Sequence, residues 1–175
     1  MCLDLIRPLF SADNMSDRAN ALMHLIELGD PHAQAEAKAE WTKHTIGCEQ
    51  YIQCIGSIDA DFAPTLIREL LDEPFFNMAL AGHARTVARA WCANQKRALL
   101  TKEGLELTKE LFIRVGKVNQ MSAYGFFGTF SQTMKFDKSV RVELISTVKS
   151  MRDALDPKKQ ESLYNQINRM ISSFD

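Results

Sequence analysis

The stretch "SDRANALMHLIELGDPHAQAEAKAEWTKH", residues 16–44, decides the fold. Ser16 offers a side-chain oxygen to the free N–H groups of a starting helix. Behind it Leu22, Leu25 and Ile26, with Met23 at the edge, recur at three- and four-residue spacing and form one apolar stripe. Gly29 suits the left-handed turn that ends a helix. Asp30-Pro31 then sets a capping carboxylate before a proline at the first helical position, where its missing N–H costs nothing. The alanine-rich run that follows has high helix propensity. One helix, a tight turn and a second helix are therefore predicted.

The same pattern extends outward. Helical spacing predicts further helices at about 48–57, 64–72, 83–95, 102–115, 120–133, 138–154 and 157–172, and strand alternation is almost absent. The last of these repeats the Asp-Pro device, with Asp156 as cap and Pro157 in the first turn. About nine helices joined by short connections imply antiparallel neighbours. The expected fold is all-α, with helical hairpins stacked in an irregular superhelix, since no period matches the named repeat families. Residues 1–11 read as a lead-in and 12–175 as one helical domain, with no Pro/Gly/Ser-rich linker between them. The apolar lead-in residues Leu3, Leu5, Ile6, Leu9 and Phe10 read as a segment that continued from, or packed on, an upstream domain.

Composition narrows the function. The 175 residues are 46% hydrophobic and 25% charged, with 21 basic against 22 acidic side chains. A net charge of −1 gives no surplus to draw the chain to phosphate backbones or anionic lipid, so neither nucleic acid nor membrane is an expected partner. The start "MCLDLIRPLF" carries Asp4 and Pro8 and places no basic leader before an apolar region, so no signal peptide is expected and a cytoplasmic setting is. Cys2, Cys48, Cys54 and Cys92 contain no C-x-x-C pair and read as reduced, packed thiols.

Chemistry-bearing motifs are missing. His24, His32, His44 and His83 form no H-E-x-x-H, in which two ligands one turn apart would hold zinc beside a catalytic glutamate. His24 and Glu27 share a helix face as a surface pair, and carboxylate pairs such as Glu69/Asp72 read as solvated charge. No G-x-S-x-G or phosphate-binding glycine loop occurs. No catalytic set and no metal site is expected in this chain.

The most unusual segment is "NQMSAYGFFGTFSQT", residues 119–133. Gly125 and Gly128 would each cost about 1 kcal/mol against alanine within a helix. Burial of Tyr124, Phe126, Phe127 and Phe130 would offset that, at about 1.5–3 kcal/mol per ring. Two readings stand: core packing in which the glycines admit a neighbouring helix, or a helix whose glycines open a cavity or channel wall.

The residues also carry a resemblance. "ADNMSDRANAL" resembles the N-M-T-D-R-x-x-A-L signature that opens the C-terminal domain of bacterial-type aminopeptidase N, a family of zinc alanyl aminopeptidases. "LLDEPFF" is similar to the family's L-L-x-H-P-x-F, and "ARTVARAW" to V-R-A-L-I-G-A-F, with Arg85 on the arginine. The run from Asn119 resembles N-P-Q-V-A-x-R-L followed by R-Y-D, the last three positions being Lys135, Phe136 and Asp137. "ESLYNQINRMI" resembles the closing D-x-Y-E-x-I-x-K-x-L through Leu163, Tyr164 and Ile167. The likeness spans about residues 12–171. Gln120 in place of the proline, Gly125 in place of an arginine and Tyr51 in place of the D-K-W-F tryptophan mark a divergent member.

The resemblance implies a non-catalytic cap. In the family this helical domain packs over a catalytic domain of the same polypeptide, encloses the active-site chamber and limits entry of peptide substrates. Zinc, its ligands and the catalytic glutamate belong to that other domain. The family's two arginines imply channel-lining positions that meet a peptide carboxylate. By that resemblance Arg85, Tyr124 and Gly125 fall in the substrate-channel region; Gly125 removes the second charge, and Arg85 reads either as a plain surface or interface salt-bridge residue or as a substrate contact. The other reading of an all-α chain without chemistry is a stand-alone HEAT-like adaptor that binds a protein partner.

Overall fold

A computed structural model describes residues 2–174, and every regular element among them is helical. The chain forms two compact units, Met1–Phe76 and Asn77–Asp175. No helix among the described residues is long and apolar enough to cross a membrane.

The first unit holds α1 (Cys2–Ile6), a 3-10 turn (Arg7–Ser11), α2 (Met15–Glu27), α3 (Ala33–Trp41), α4 (Thr45–Gly56) and α5 (Ala63–Leu71). The expected caps are mostly in place. Gly29 has φ 79°, Asp30 N–H donates to Leu25 O and Gly29 N–H to Ile26 O, the paired bonds of a Schellman stop. Asp30 Oδ1 accepts from the N–H groups of His32 and Ala33, but Pro31 and His32 form a turn, so α3 begins at Ala33 and not at Pro31 as expected. Ser16 is a correction. The cap of α2 is Asn14, whose Oδ1 accepts from Asp17 N–H at 2.8 Å, while its amide donates to Asp17 Oδ2. Asn14 sits in the extended conformation that leaves its side chain free to fold back, and Ser16 lies inside the first turn.

Ala33 and Ala37 are fully buried, so the short side chains of α3 let it pack closely on α2 and α4. A Cβ on Gly47 would lie 2.5 Å from Trp41 O, which is why the turn into α4 needs glycine. The core is Leu22, Leu25, Ile52, Ile55, Ile58 and Ile67. The lead-in closes one side of this unit: Phe10 is buried, 6.0 Å from the Trp41 ring, and Arg7 pairs with Asp30 and Glu36. Leu5 and Leu9 remain exposed.

The second unit holds α6 (Ala81–Ala93), α7 (Gln95–Leu100), α8 (Lys102–Val118), α9 (Gln120–Ala123), α10 (Gly125–Phe130), a 3-10 turn (Thr133–Lys135), α11 (Lys138–Asp153) and α12 (Glu161–Ser172). α8 is its central element and touches α6, α7, α9 and α11. Its buried positions, among them Leu107, Leu111, Phe112 and Val115, follow the helical period. Two expected helices start or end elsewhere. α7 was not anticipated as separate from α6; Asn94 ends one helix and caps the next, accepting from Arg97 N–H. α12 begins at Glu161 instead of residue 157, because Asp156 Oδ1 binds the N–H groups of Lys158 and Lys159 in a turn that precedes the helix.

Candidate functional site

The glycine-aromatic segment breaks where the sequence suggested one helix over 120–133. Asn119 caps α9 by accepting from Ser122 N–H at 3.0 Å, and the chain leaves α9 at Tyr124 before α10 begins at Gly125. The aromatic residues supply the offsetting burial. Phe126 and Phe130 are fully buried, and Phe112 of α8 meets Phe126 and Phe127 edge-on at 5.8 and 6.0 Å.

The glycines do not admit a neighbouring helix, which corrects that part of the packing reading. Gly125 and Gly128 are exposed, and a Cβ on either would meet nothing within 4 Å. With Met121, 80% exposed, they form one bare outward stripe on α9 and α10. The close approach in this unit is at Gly116 instead, where a Cβ would stand 3.2 Å from Leu163 Cδ1 and 3.4 Å from Gln160 Nε2.

Tyr124 is half-buried. Its ring meets Phe127 edge-on at 5.6 Å, and its hydroxyl is hydrogen-bonded to Ser162 Oγ of α12. Gln120, which replaces the family proline, donates from Nε2 to Lys159 O at 3.0 Å. Both side chains fasten α9 to the start of α12. Neither contact was legible in advance, because each joins residues nearly forty positions apart.

Arg85 stands exposed on α6, which packs on both α9 and α10. Among the described residues it has no hydrogen-bond or ion-pair partner, and neither has Arg89 one turn further on. No Asp or Glu occurs from Asn77 to Lys102, so neither arginine has an acidic neighbour along its own helix. The structure thus places Arg85 on a helix adjoining the one that carries Tyr124 and Gly125, with no direct bond between them. Arg89 was not singled out beside Arg85, although its spacing and the acid-free run were readable. On the buried side of α6, His83 Nδ1 accepts from Asn77 N–H at 3.2 Å, and Trp91 Nε1 donates to Thr108 Oγ1 at 2.8 Å.

No group of three or more His, Cys, Asp or Glu among the described residues is placed to hold a metal ion. All four cysteines are free. Burial pushes the thiols of Cys54 and Cys92 up to about 11 and raises that of Cys48. These thiols are not poised as thiolate nucleophiles at neutral pH. Burial also raises the Tyr51 phenol to about 12. The surface presents two unpaired guanidinium groups on α6 and two open glycine positions on α10.

Comparison with known proteins adds the context. The family model described as a domain of unknown function, DUF3458_C, ARM repeats, matches residues 4–172. No curated protein matches the chain. The fold is similar to that in the crystal structure of Legionella pneumophila aminopeptidase A in complex with aspartic acid, with a TM-score of 0.80 and 15% identity. That similarity covers 96% of this chain and 21% of the Legionella chain, so the chain spans about a fifth of the length of the protein it matches.

Proposed function

This chain belongs to the DUF3458_C family of ARM-repeat domains, and on that footing we propose that it is the non-catalytic C-terminal cap of a zinc aminopeptidase that removes N-terminal amino acids from peptides. The carrying observation is that nearly the whole chain shares its fold with one part of a much longer aminopeptidase. In this reading the chain works with a catalytic domain of the same polypeptide, encloses its active-site chamber and limits entry to peptide substrates. The residues of this chain do not fit the zinc ion, since no ligand group is assembled among the described ones. Zinc and hydrolysis are assigned to the other domain. Free thiols fit a reducing, cytoplasmic setting.

Arg85 is the residue of this chain best suited to a substrate. An unpaired guanidinium presents a planar fork that binds a carboxylate through two parallel hydrogen bonds. Tyr124 has its hydroxyl engaged by Ser162, so it shapes the wall more than it binds. Gly125 leaves that wall open.

The test is aminopeptidase assay of the polypeptide encoded by the complete reading frame, beside this chain alone. The longer protein should cleave alanyl p-nitroanilide and alanyl peptides, and the 175-residue chain should cleave neither. Arg85→Ala should raise KM for a peptide with a free C-terminal carboxylate and leave the anilide unaffected. A reading frame that ends with this chain and yields no peptidase would overturn the proposal in favour of the adaptor.

A further inference from the structure

The first unit contains a cleft between α2 and α4 with a volume of about 400 Å³. Ser16, Asn20 and Met23 line it from α2; Gln50 and Gln53 line it from α4, and Ser57 from the residue that caps the end of α4. The spacings along each helix are three or four residues, so each wall is one helical face. Cys54 also lines the cleft; it is only 1% exposed, and its Sγ–H points to Ala19 O at 3.7 Å, tying the two walls together.

Two features define what fits. No lining residue is charged. The polar ones are also unspent: among the described residues, the side chains of Ser16, Asn20, Gln53 and Ser57 make no hydrogen bond, and Gln50 has only a 4.0 Å contact to Cys54 Sγ. Three carboxamides each offer a donor and an acceptor on one edge, the complement of a peptide N–H and C=O. Met15 and Met23 add flexible, polarisable contacts that adapt to different aliphatic side chains. The seven residue steps of helix from Ser16 to Met23 run about 10 Å, the length of about three extended residues.

We propose that this cleft binds an uncharged, extended stretch of a separate peptide about three residues long, held by its main chain on Asn20, Gln50 and Gln53. The site is independent of the cap reading, because it lies wholly within the first unit and invokes no active-site chamber. Its specificity is for backbone amide groups flanked by aliphatic side chains, without preference for a charged terminus.

The test is titration of the 15N-labelled 175-residue chain with N-acetyl-Ala-Leu-Ala-amide, following the side-chain amide signals of Asn20, Gln50 and Gln53. Saturable shifts of these signals below about 10 mM peptide are expected. The double variant Asn20→Leu/Gln53→Leu changes two exposed positions and should weaken binding by about tenfold or more while the urea midpoint stays near that of the parent. Gln53→Glu, which keeps a polar surface, should also weaken it. No saturable shift, equal shifts with hexane-1,6-diol in place of the peptide, or unchanged affinity in the folded variants would overturn the proposal. Peptide binding by a chain whose full reading frame lacks peptidase activity would overturn the cap reading and leave the cleft standing.

Discussion

The guanidinium of Arg18 lies 5.4 Å over the Trp41 ring. From that position Nε donates to Phe10 O at 3.2 Å and a terminal nitrogen to Glu40 at 2.6 Å. The arginine of the "NMSDR" signature therefore ties the lead-in, α2 and α3 into one body. Cation–π stacking, a bond to a carbonyl and a partly shielded ion pair together support a loss of about 2 kcal/mol in Arg18→Ala. Arg18→Lys keeps the charge but not the planar fork, so it should recover less than half of that loss. Urea unfolding followed by circular dichroism reads both, and an Arg18→Ala midpoint equal to the parent's would refute the assignment.

Glycines separate into two classes that give opposite results on substitution. A Cβ on Gly104 would lie 1.7 Å from Arg97 O, and one on Gly47 would lie 2.5 Å from Trp41 O. Backbone cannot yield as a side-chain tip does, so Gly47→Ala and Gly104→Ala should each cost more than about 2 kcal/mol. At Gly125 and Gly128 the space is open and φ is not positive, so alanine should stabilise by about 0.4–1 kcal/mol. Chemical denaturation of the four variants is sufficient, and a destabilised Gly125→Ala would mean that the bare stripe is structurally required.

Those contrasts show which parts of the molecule were legible in its sequence. The helix class followed from periodicity, and the stop at Gly29 and the reach of Asp30 to the N–H groups ahead of it followed from backbone chemistry that acts within a few residues, although α3 begins at Ala33 and not at Pro31. Asn14 in place of Ser16 differs only in which of two capable oxygens reaches back, a choice set by the extended backbone at Asn14. The glycine-aromatic segment was harder. Composition requires burial of its rings but not the direction in which Gly125 and Gly128 face, which depends on where α8 supplies Phe112. Arg85 was found through resemblance, whereas its freedom from partners became visible only when its helix was placed. The cleft carboxamides had no sequence signal, because a lone Asn or Gln on a helix face is ordinarily solvated.

Thr108 joins three parts of the second unit through one hydroxyl. It accepts from Trp91 Nε1 at 2.8 Å, and its own hydrogen faces Gly104 O at 2.8 Å and Ala98 O at 3.1 Å. Thr108→Val preserves shape and leaves a fully buried indole N–H without an acceptor, which should cost about 1–3 kcal/mol. A double-mutant cycle with Trp91→Phe isolates the bond from the packing change. The two substitutions should couple, the Thr108→Val penalty shrinking in the Trp91→Phe background; simple additivity would show that the bond carries no net stability.

Asp30 makes stability depend on pH in a defined direction. Desolvation alone would raise its pKa, but the N–H groups of His32 and Ala33, with the Arg7 guanidinium, outweigh it and hold the carboxyl below its ordinary value. A group whose folded pKa is depressed contributes stability above its unfolded pKa and loses it as pH falls through the folded one. The first unit should therefore keep this contribution at neutral pH and lose it progressively below about pH 4. Asp30→Asn retains an acceptor for the two N–H groups but forfeits the charge, so it should flatten the acid limb while costing less at pH 7 than Asp30→Ala. The alanine variant, lacking any cap, should lose about 1 kcal/mol at pH 7. Urea midpoints between pH 7 and pH 2.5 decide the matter through the difference between parent and Asp30→Asn. That difference cancels the similar acid-side contribution of Asp156, whose carboxyl is also held low by the N–H groups of Lys158 and Lys159. A difference that stays constant across the range would mean that Asp30 acts only as a neutral hydrogen-bond acceptor.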